Sequence, residues 1–195
     1  MKNGLLVILS SPSGGGKTTI LNALRKQQEI EFVYSISATT RAPRPGEVDG
    51  KHYYFLSEDQ FQKKVADGEF YEWEQVHQYH YGTLRAPIEA WLREGKIVLL
   101  DIDVNGELNV KKQLPEQTIS IFIAPPSEQI LIERLKNRKT ESPEEIDRRL
   151  RRLPMEMNKK DQYDYVLINE DLDTCVNQVI EVIKHHIQYE GGNIS

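Results

Sequence analysis

Short apolar runs recur along the chain and are separated by longer polar segments. The runs at 5–9, 97–103 and 119–124 are mostly apolar, and a fourth lies at 165–169. Runs of this length that end at glycine, proline or charged residues are typical of strands buried on both faces. Shorter strands are predicted at 32–37, at 52–56 and within 70–81.

The polar segments between these strands carry apolar residues at helical spacing. In 172–188 apolar positions recur every three or four residues, the pattern of a helix with one buried side. Ser57 and Gln60 have the spacing of a reciprocal capping pair, which predicts a helix that begins there and ends near Gly68. The other predicted helices are 17–28, 85–94, 127–137 and 143–157. Strands that alternate with helices favour an α/β fold with a parallel sheet flanked by helices.

Two segments do not fit a simple alternation of buried strands and helices. Residues 35–90 are predicted to form a small mixed α/β insertion, and residues 127–161 a charged helical lid. The remaining core is assigned to 1–34, 91–126 and 162–195. We expect both extra segments to act as mobile flaps at the carboxyl edge of the sheet, where open α/β folds bind ligands.

Composition narrows the class of protein. Of the 195 residues, 38% are hydrophobic and 28% charged, which indicates a globular chain. The net charge of -5 gives no general basic surface for nucleic acid, and the first apolar run is too short to span a membrane. One cysteine, Cys175, permits no intrachain disulfide and is expected to be a partly buried structural thiol. We therefore predict a cytoplasmic protein without nucleic-acid or membrane partners and leave its oligomeric state open.

A glycine-rich loop follows the first predicted strand and leads directly into the first helix. The segment 11–18 reads Ser-Pro-Ser-Gly-Gly-Gly-Lys-Thr, with Ser11 where the usual pattern has glycine. Its backbone N–H groups, the start of the helix and the Lys17 ammonium would surround a phosphate, and the Thr18 hydroxyl is suited to Mg²⁺. Asp101, at the end of a predicted strand, is a second candidate for Mg²⁺. The loop predicts a nucleoside triphosphate with Mg²⁺ but no particular reaction.

One interpretation is a P-loop GTPase. Residues 103–106 match D-x-x-G, residues 158–161 match the guanine-reading pattern N-K-x-D, and Thr39 or Thr40 is a candidate switch threonine. However, 158–161 follow a charged amphipathic helix and precede a strand, whereas a guanine-reading motif should end a buried strand. A solvated helix end is the favoured interpretation of that segment.

A kinase accounts better for the remaining charged residues. The predicted insertion holds arginines and tyrosines suited to the phosphate of an acceptor: Arg41, Arg44, Tyr53 and Tyr81. The predicted lid adds six arginines: Arg134, Arg138, Arg148, Arg149, Arg151 and Arg152. Phosphoryl transfer needs cations around the moving charge and a cover that excludes water. For any single lid arginine, however, an ordinary charged helix face is the favoured interpretation.

Several motifs together resemble the guanylate kinase family over nearly the whole chain. They are 10–19, 37–44, 46–53, 69–73, 81–83, 100–106, 122–127 and 138–141. The resemblance implies ATP-dependent phosphorylation of GMP to GDP. This sequence departs from the family pattern at Ser11, at Thr83, where serine is common, and at Lys139, in a stretch that is usually Arg-Gly-Thr-Glu. A catalytically inactive interaction module of the same fold is the alternative from another class.

The resemblance also implies a role for individual residues. The guanine of GMP would be read by Ser37, Glu72, Thr83 and Asp103, and its phosphate held by Arg41, Arg44, Tyr53 and Tyr81. ATP would be bound by Ser11, Pro12, Ser13, Gly14, Gly15, Gly16, Lys17, Thr18 and Thr19, with Asn169 near the adenine. The catalytic cations would be Lys17, Arg134, Arg138 and Arg149, and Mg²⁺ would lie near Thr18 and Asp101. His77 and His80 lack a third metal ligand and are expected to be ordinary loop histidines.

Overall fold

The computed structural model describes residues 4–12, 14–102, 104, 106–137 and 143–191. The chain divides into two compact units. The first contains the described residues of Met1–Leu6, Phe32–Asp101 and Asn105–Thr118. The second contains those of Val7–Glu31, Ile102–Val104 and Ile119–Ser195.

Most of the strands and helices lie in the segments where the apolar pattern predicts them. The strands are β1 Leu5–Ser10, β2 Phe32–Tyr34, β3 Ala38–Thr39, β4 Tyr54–Phe55, β5 Phe70–Val76, β6 Tyr79–Leu84, β7 Ile97–Asp101, β8 Thr118–Ala124 and β9 Tyr165–Ile168. The α-helices are α1 Lys17–Leu24, α2 Glu58–Ala66, α3 Arg85–Arg93, α4 Gly106–Gln113, α5 Glu128–Asn137, α6 Pro143–Asn158 and α7 Leu172–Gly191.

The larger sheet has five strands in the order β2-β7-β1-β8-β9. The pairs β2–β7 and β8–β9 are parallel, and every residue of β1 and β8 is buried. α3 packs against β7, and α7 packs against β9. These features confirm the predicted α/β fold, because strands buried on both faces need helices to cover them.

The smaller sheet has four strands in the order β4-β3-β6-β5, all within the first unit and within the predicted insertion 35–90. Its core is built on Ala38, Phe61 and Phe70, with the two phenylalanine rings stacked 4.6 Å apart. Ser57 and Gln60 form the predicted capping box at the start of α2. The insertion is thus a mixed α/β structure, as the sequence predicts, while the division of the chain into core, insertion and lid stays a prediction.

Two features differ from the sequence prediction. The strand expected at 32–37 is shorter, because β2 ends at Tyr34 and residues 35–37 form no strand; the next strand, β3, begins at Ala38 and belongs to the smaller sheet. α4 was not expected, since few of its residues are apolar; Val110 is fully buried and anchors it. Among the described helices, none is long and apolar enough to cross a membrane.

Candidate active site

The glycine-rich loop connects β1 to α1. Gly14 and Gly16 have backbone φ angles of 91° and 101°, which side chains disfavour, and the Gly15 amide donates to the Pro12 carbonyl at 2.9 Å. Gly16 is the N-cap of α1 and has no side chain to occupy the first amides of the helix. The loop therefore presents the positive end of a helix, which binds anions.

Lys17 lies at the first position of α1 and is half-buried. Its Nζ donates to the carbonyl of Ile102 at 2.8 Å, and the hydroxyl of Ser10 donates to the same carbonyl at 3.3 Å. Ser11, the departure from the usual pattern, is buried and donates to the Pro12 carbonyl at 3.0 Å. The serine thus fits the loop without disturbing it.

Asn169, just after β9, also contacts the glycine-rich loop. Its side-chain Nδ2 donates to the Gly15 carbonyl at 2.9 Å. Its backbone carbonyl accepts from Arg134 Nη2, also at 2.9 Å. Arg134 comes from α5, and its Nη1 is buried with no acceptor among the described atoms. A cavity of about 410 Å³ is lined by Gly14, Gly16, Thr19, Arg134, Asn169, Glu170 and Leu172. Arg134 therefore brings positive charge to this cavity, and an arginine is suited to the oxygens of an anionic ligand.

The predicted magnesium residues both carry oxygen donors. Thr18 is exposed in the first turn of α1, and Asp101 is exposed at the end of β7. No group of three potential His, Cys, Asp or Glu ligands occurs in the described part of the chain. Mg²⁺ that is bound with a nucleotide needs only one or two protein oxygens, because phosphates and water complete its shell. Each of these two residues, taken by itself, therefore offers an oxygen that suits Mg²⁺ carried by ATP.

A carboxylate and a hydroxyl from adjacent strands form a polar pair in the first unit. Glu72 on β5 lies opposite Thr83 on β6, and the buried Thr83 hydroxyl donates to Glu72 Oε1 at 2.5 Å. Gly106, at the start of α4, passes so close that a Cβ there would lie 3.1 Å from Glu72 Oε2. Ser37 lies between β2 and β3, and its carbonyl accepts from the Tyr54 amide at 3.0 Å.

The predicted phosphate residues of the first unit cluster around Arg41. The Arg41 guanidinium is buried, donates to the Ala42 carbonyl at 2.8 Å and pairs with Glu47 at 2.9 Å. It lies over the Tyr53 ring, 5.4 Å from the centroid, and that ring packs against Tyr81 at 6.1 Å. The structure thus brings three of the four residues together around one cation.

Glu47 joins the fourth residue to this cluster. Its Oε2 accepts from the backbone amide of Arg44 at 2.7 Å, while its Oε1 accepts from Arg41. The hydrogen bond with Arg41 lowers the pKa of Glu47 to about 2 and raises the pKa of Arg41. Both groups therefore stay charged at any pH near neutrality. Sequence reasoning assigned no role to Glu47, although it belongs to the quoted segment 46–53.

Three predicted site residues, Ser13, Asp103 and Arg138, lie outside the described residues, as does Lys139. Arg149 is half-buried on α6. Asn158 ends α6, and 160–162 form a short 3-10 helix before β9, so the segment 158–161 is a helix end rather than a strand end. That position agrees with the solvated helix end favoured over a GTPase motif.

The sequence also makes predictions for two histidines and the cysteine. His77 lies in the turn between β5 and β6, as expected. His80 lies on β6 rather than in a loop, pairs with Glu58 and stacks on Phe61. Cys175 is fully rather than partly buried, and burial raises its pKa to about 11. A buried thiol of this kind is structural, because the reactive thiolate form is disfavoured.

A glycine-rich phosphate loop between a parallel strand and a helix defines a P-loop nucleotide-binding protein. A sequence model described as guanylate kinase matches residues 3–186. A guanylate kinase of Carboxydothermus hydrogenoformans is 46% identical over 183 residues, 94% of this chain and 89% of that protein. One from Caldanaerobacter subterraneus is 46% identical over 93% of this chain and 87% of its own length. The crystal structure of guanylate kinase from Anaplasma phagocytophilum has a TM-score of 0.74 at 32% identity, covering 95% of this chain and 87% of that one. The chain belongs to the guanylate kinase family.

Proposed function

We propose how the residues described above perform the reaction of this family, the ATP-dependent phosphorylation of GMP to GDP. The observation that supports the proposal is that each unit contains a cationic cluster suited to a phosphate. One is the glycine loop with Lys17, and the other is the Arg41 cluster with Arg44, Tyr53 and Tyr81. A kinase that transfers a phosphoryl group from one nucleotide to another needs a donor site and an acceptor site, whereas a GTPase needs only one nucleotide site.

The donor site takes the ATP phosphates. Residues 11–19 would surround them with backbone amides, and Lys17 would exchange the Ile102 carbonyl, now 2.8 Å from its Nζ, for phosphate oxygens. Thr18 and Asp101 would hold Mg²⁺, which neutralises charge on the phosphates when bound. Arg134, Arg138 and Arg149 would add positive charge around the transferred group.

The acceptor site takes GMP. Arg41 and Arg44 would bind its phosphate, with the hydroxyls of Tyr53 and Tyr81 as further donors. Guanine presents two adjacent donors, N1–H and the 2-amino group, and the carboxylates of Glu72 and Asp103 can accept from both. Ser37 and Thr83 would support that recognition, and Thr83 already fixes one Glu72 oxygen by its 2.5 Å hydrogen bond.

The reaction needs no covalent intermediate. A GMP phosphate oxygen attacks the γ-phosphorus of ATP, the bond from that phosphorus to the β-phosphate oxygen breaks, and ADP leaves. Catalysis by this chain would consist of positioning the two phosphates and neutralising their charge. We place the reaction in the cytoplasm, where a chain with a single cysteine needs no oxidising compartment.

Replacing Arg41 with alanine is expected to weaken GMP binding about 10- to 100-fold, the usual effect of a lost charged hydrogen bond of about 1.5–3 kcal/mol. Guanosine, which lacks the phosphate, should bind the variant and the unaltered protein equally well. Calorimetric titration with both ligands measures the difference. The exposed Arg93→Ala variant is the matched control and should bind GMP normally. Equal losses for GMP and guanosine would contradict the assignment of Arg41 to the phosphate.

A further inference from the structure

Asn169 is held at one point by three different elements. Its backbone amide donates to the Ala124 carbonyl at the end of β8 at 2.8 Å. Its side chain donates to the Gly15 carbonyl in the glycine loop, and its backbone carbonyl accepts from Arg134 of α5, both at 2.9 Å. The residue is 6% exposed, so these bonds are shielded from water and are correspondingly costly to break.

The orientation of the Asn169 amide follows from its partner. The Gly15 carbonyl can only accept, so the NH₂ group of Asn169 must point toward the loop. Gly16 makes room for this contact, because a Cβ at Gly16 would overlap Asn169 Nδ2. The bond joins residues 154 positions apart in the chain and fixes the backbone just before the first amides of α1.

Arg134 extends the same contact toward the cavity. Its Nη2 donates to the backbone carbonyl of Asn169, and Arg134 lines the cavity that Gly14 and Gly16 also line. Asn169 therefore touches both the loop and a cation of the donor site. The resemblance placed Asn169 near the adenine of ATP, yet in the structure its amide donates to the loop.

We propose that Asn169 is a positioning residue for the ATP phosphates: through Gly15 its side chain holds the loop amides in their anion-binding arrangement. Its contact with Arg134 is made by the backbone carbonyl and is therefore kept when the side chain is replaced. The proposal rests on the assignment of the loop to ATP given above. It differs from base recognition because it predicts an effect on every ligand that carries the phosphates, whatever its base.

The test compares donors and inorganic tripolyphosphate in Asn169→Ala. With GMP saturating, kcat/KM should fall about tenfold for ATP and by the same factor for CTP, because the loss concerns the phosphates. Inhibition by tripolyphosphate in the presence of Mg²⁺ should weaken by a similar factor. The dissociation constant of GMP should not change, a split that a general loss of structure would not produce. Asn177→Ala, an exposed asparagine on α7, is the matched control and should match the unaltered protein throughout.

Two results would overturn the inference. One is a smaller ratio of kcat/KM for ATP to kcat/KM for CTP, together with unchanged inhibition by tripolyphosphate. That result would assign Asn169 to the adenine. The other is loss of GMP affinity in both Asn169→Ala and the milder Asn169→Ser, which would make the residue a general structural one. Lys17→Ala separates this question from the proposed function. If tripolyphosphate inhibits the unaltered protein and Lys17→Ala equally, the donor site itself is misplaced.

Discussion

Lys17→Ala is expected to reduce phosphoryl transfer by about 10³-fold while the fold persists, since a positioned cation acts on charge that develops in the transition state. The fold should survive because Lys17 is only half-buried and the Ile102 carbonyl that it contacts also accepts from Ser10. Steady-state rates with ATP and GMP measure the loss, and thermal unfolding checks stability.

The matched control for this prediction is Lys26→Ala, an exposed lysine just after α1. It should keep the full rate. GMP affinity should be normal in both variants, because the residues assigned to the GMP phosphate lie in the other unit. A Lys17→Ala variant that turns over at nearly the normal rate would show that the loop does not carry the reacting phosphates.

Glu72→Gln is expected to remove most of the discrimination between GMP and AMP. The Thr83 hydroxyl already donates to one Glu72 oxygen, so a glutamine that keeps this bond turns its NH₂ group toward the guanine donors. Its kcat/KM for GMP should fall about 10- to 100-fold, the effect of a lost charged hydrogen bond. Polar sites of this kind can reject the wrong ligand by up to roughly 10⁴-fold, so a large decrease in the preference for GMP over AMP can be measured.

The measurement is kcat/KM for GMP and AMP with ATP saturating, in the unaltered protein and in Glu72→Gln. The KM for ATP should stay the same, because only the acceptor site is changed. Glu116→Gln, an exposed glutamate in the same unit, is the matched control. Full GMP preference in Glu72→Gln would place base recognition elsewhere.

The sequence predicts most of the central sheet because its strands are nearly pure apolar runs, and β1 and β8 are buried at every position. It does not predict that β2 ends at Tyr34, since 32–37 alternates like one strand although 35–37 form none. α4 escapes prediction because few of its residues are apolar, so its sequence carries no periodic signal although Val110 is fully buried.

The candidate site, like the fold, is predicted by the sequence only in part. The loop 11–18 is recognisable because its chemistry is contiguous in sequence. The guanine and phosphate residues follow from the family resemblance, and the pairing of Glu72 with Thr83 agrees with it. The bridging of Arg41 and Arg44 by Glu47, and the bond from Asn169 to Gly15, have no sequence signature, because they depend on how distant or looped segments meet.

The most direct test of the whole account follows the nucleotides themselves. The protein is incubated with Mg²⁺ and ATP plus GMP, with ATP plus AMP, or with GTP alone, and the products are separated by chromatography. We predict equal amounts of ADP and GDP from ATP plus GMP, little product with AMP, and intact GTP when it is supplied alone. Hydrolysis of GTP to GDP and phosphate, without any transfer from ATP to GMP, would contradict the account.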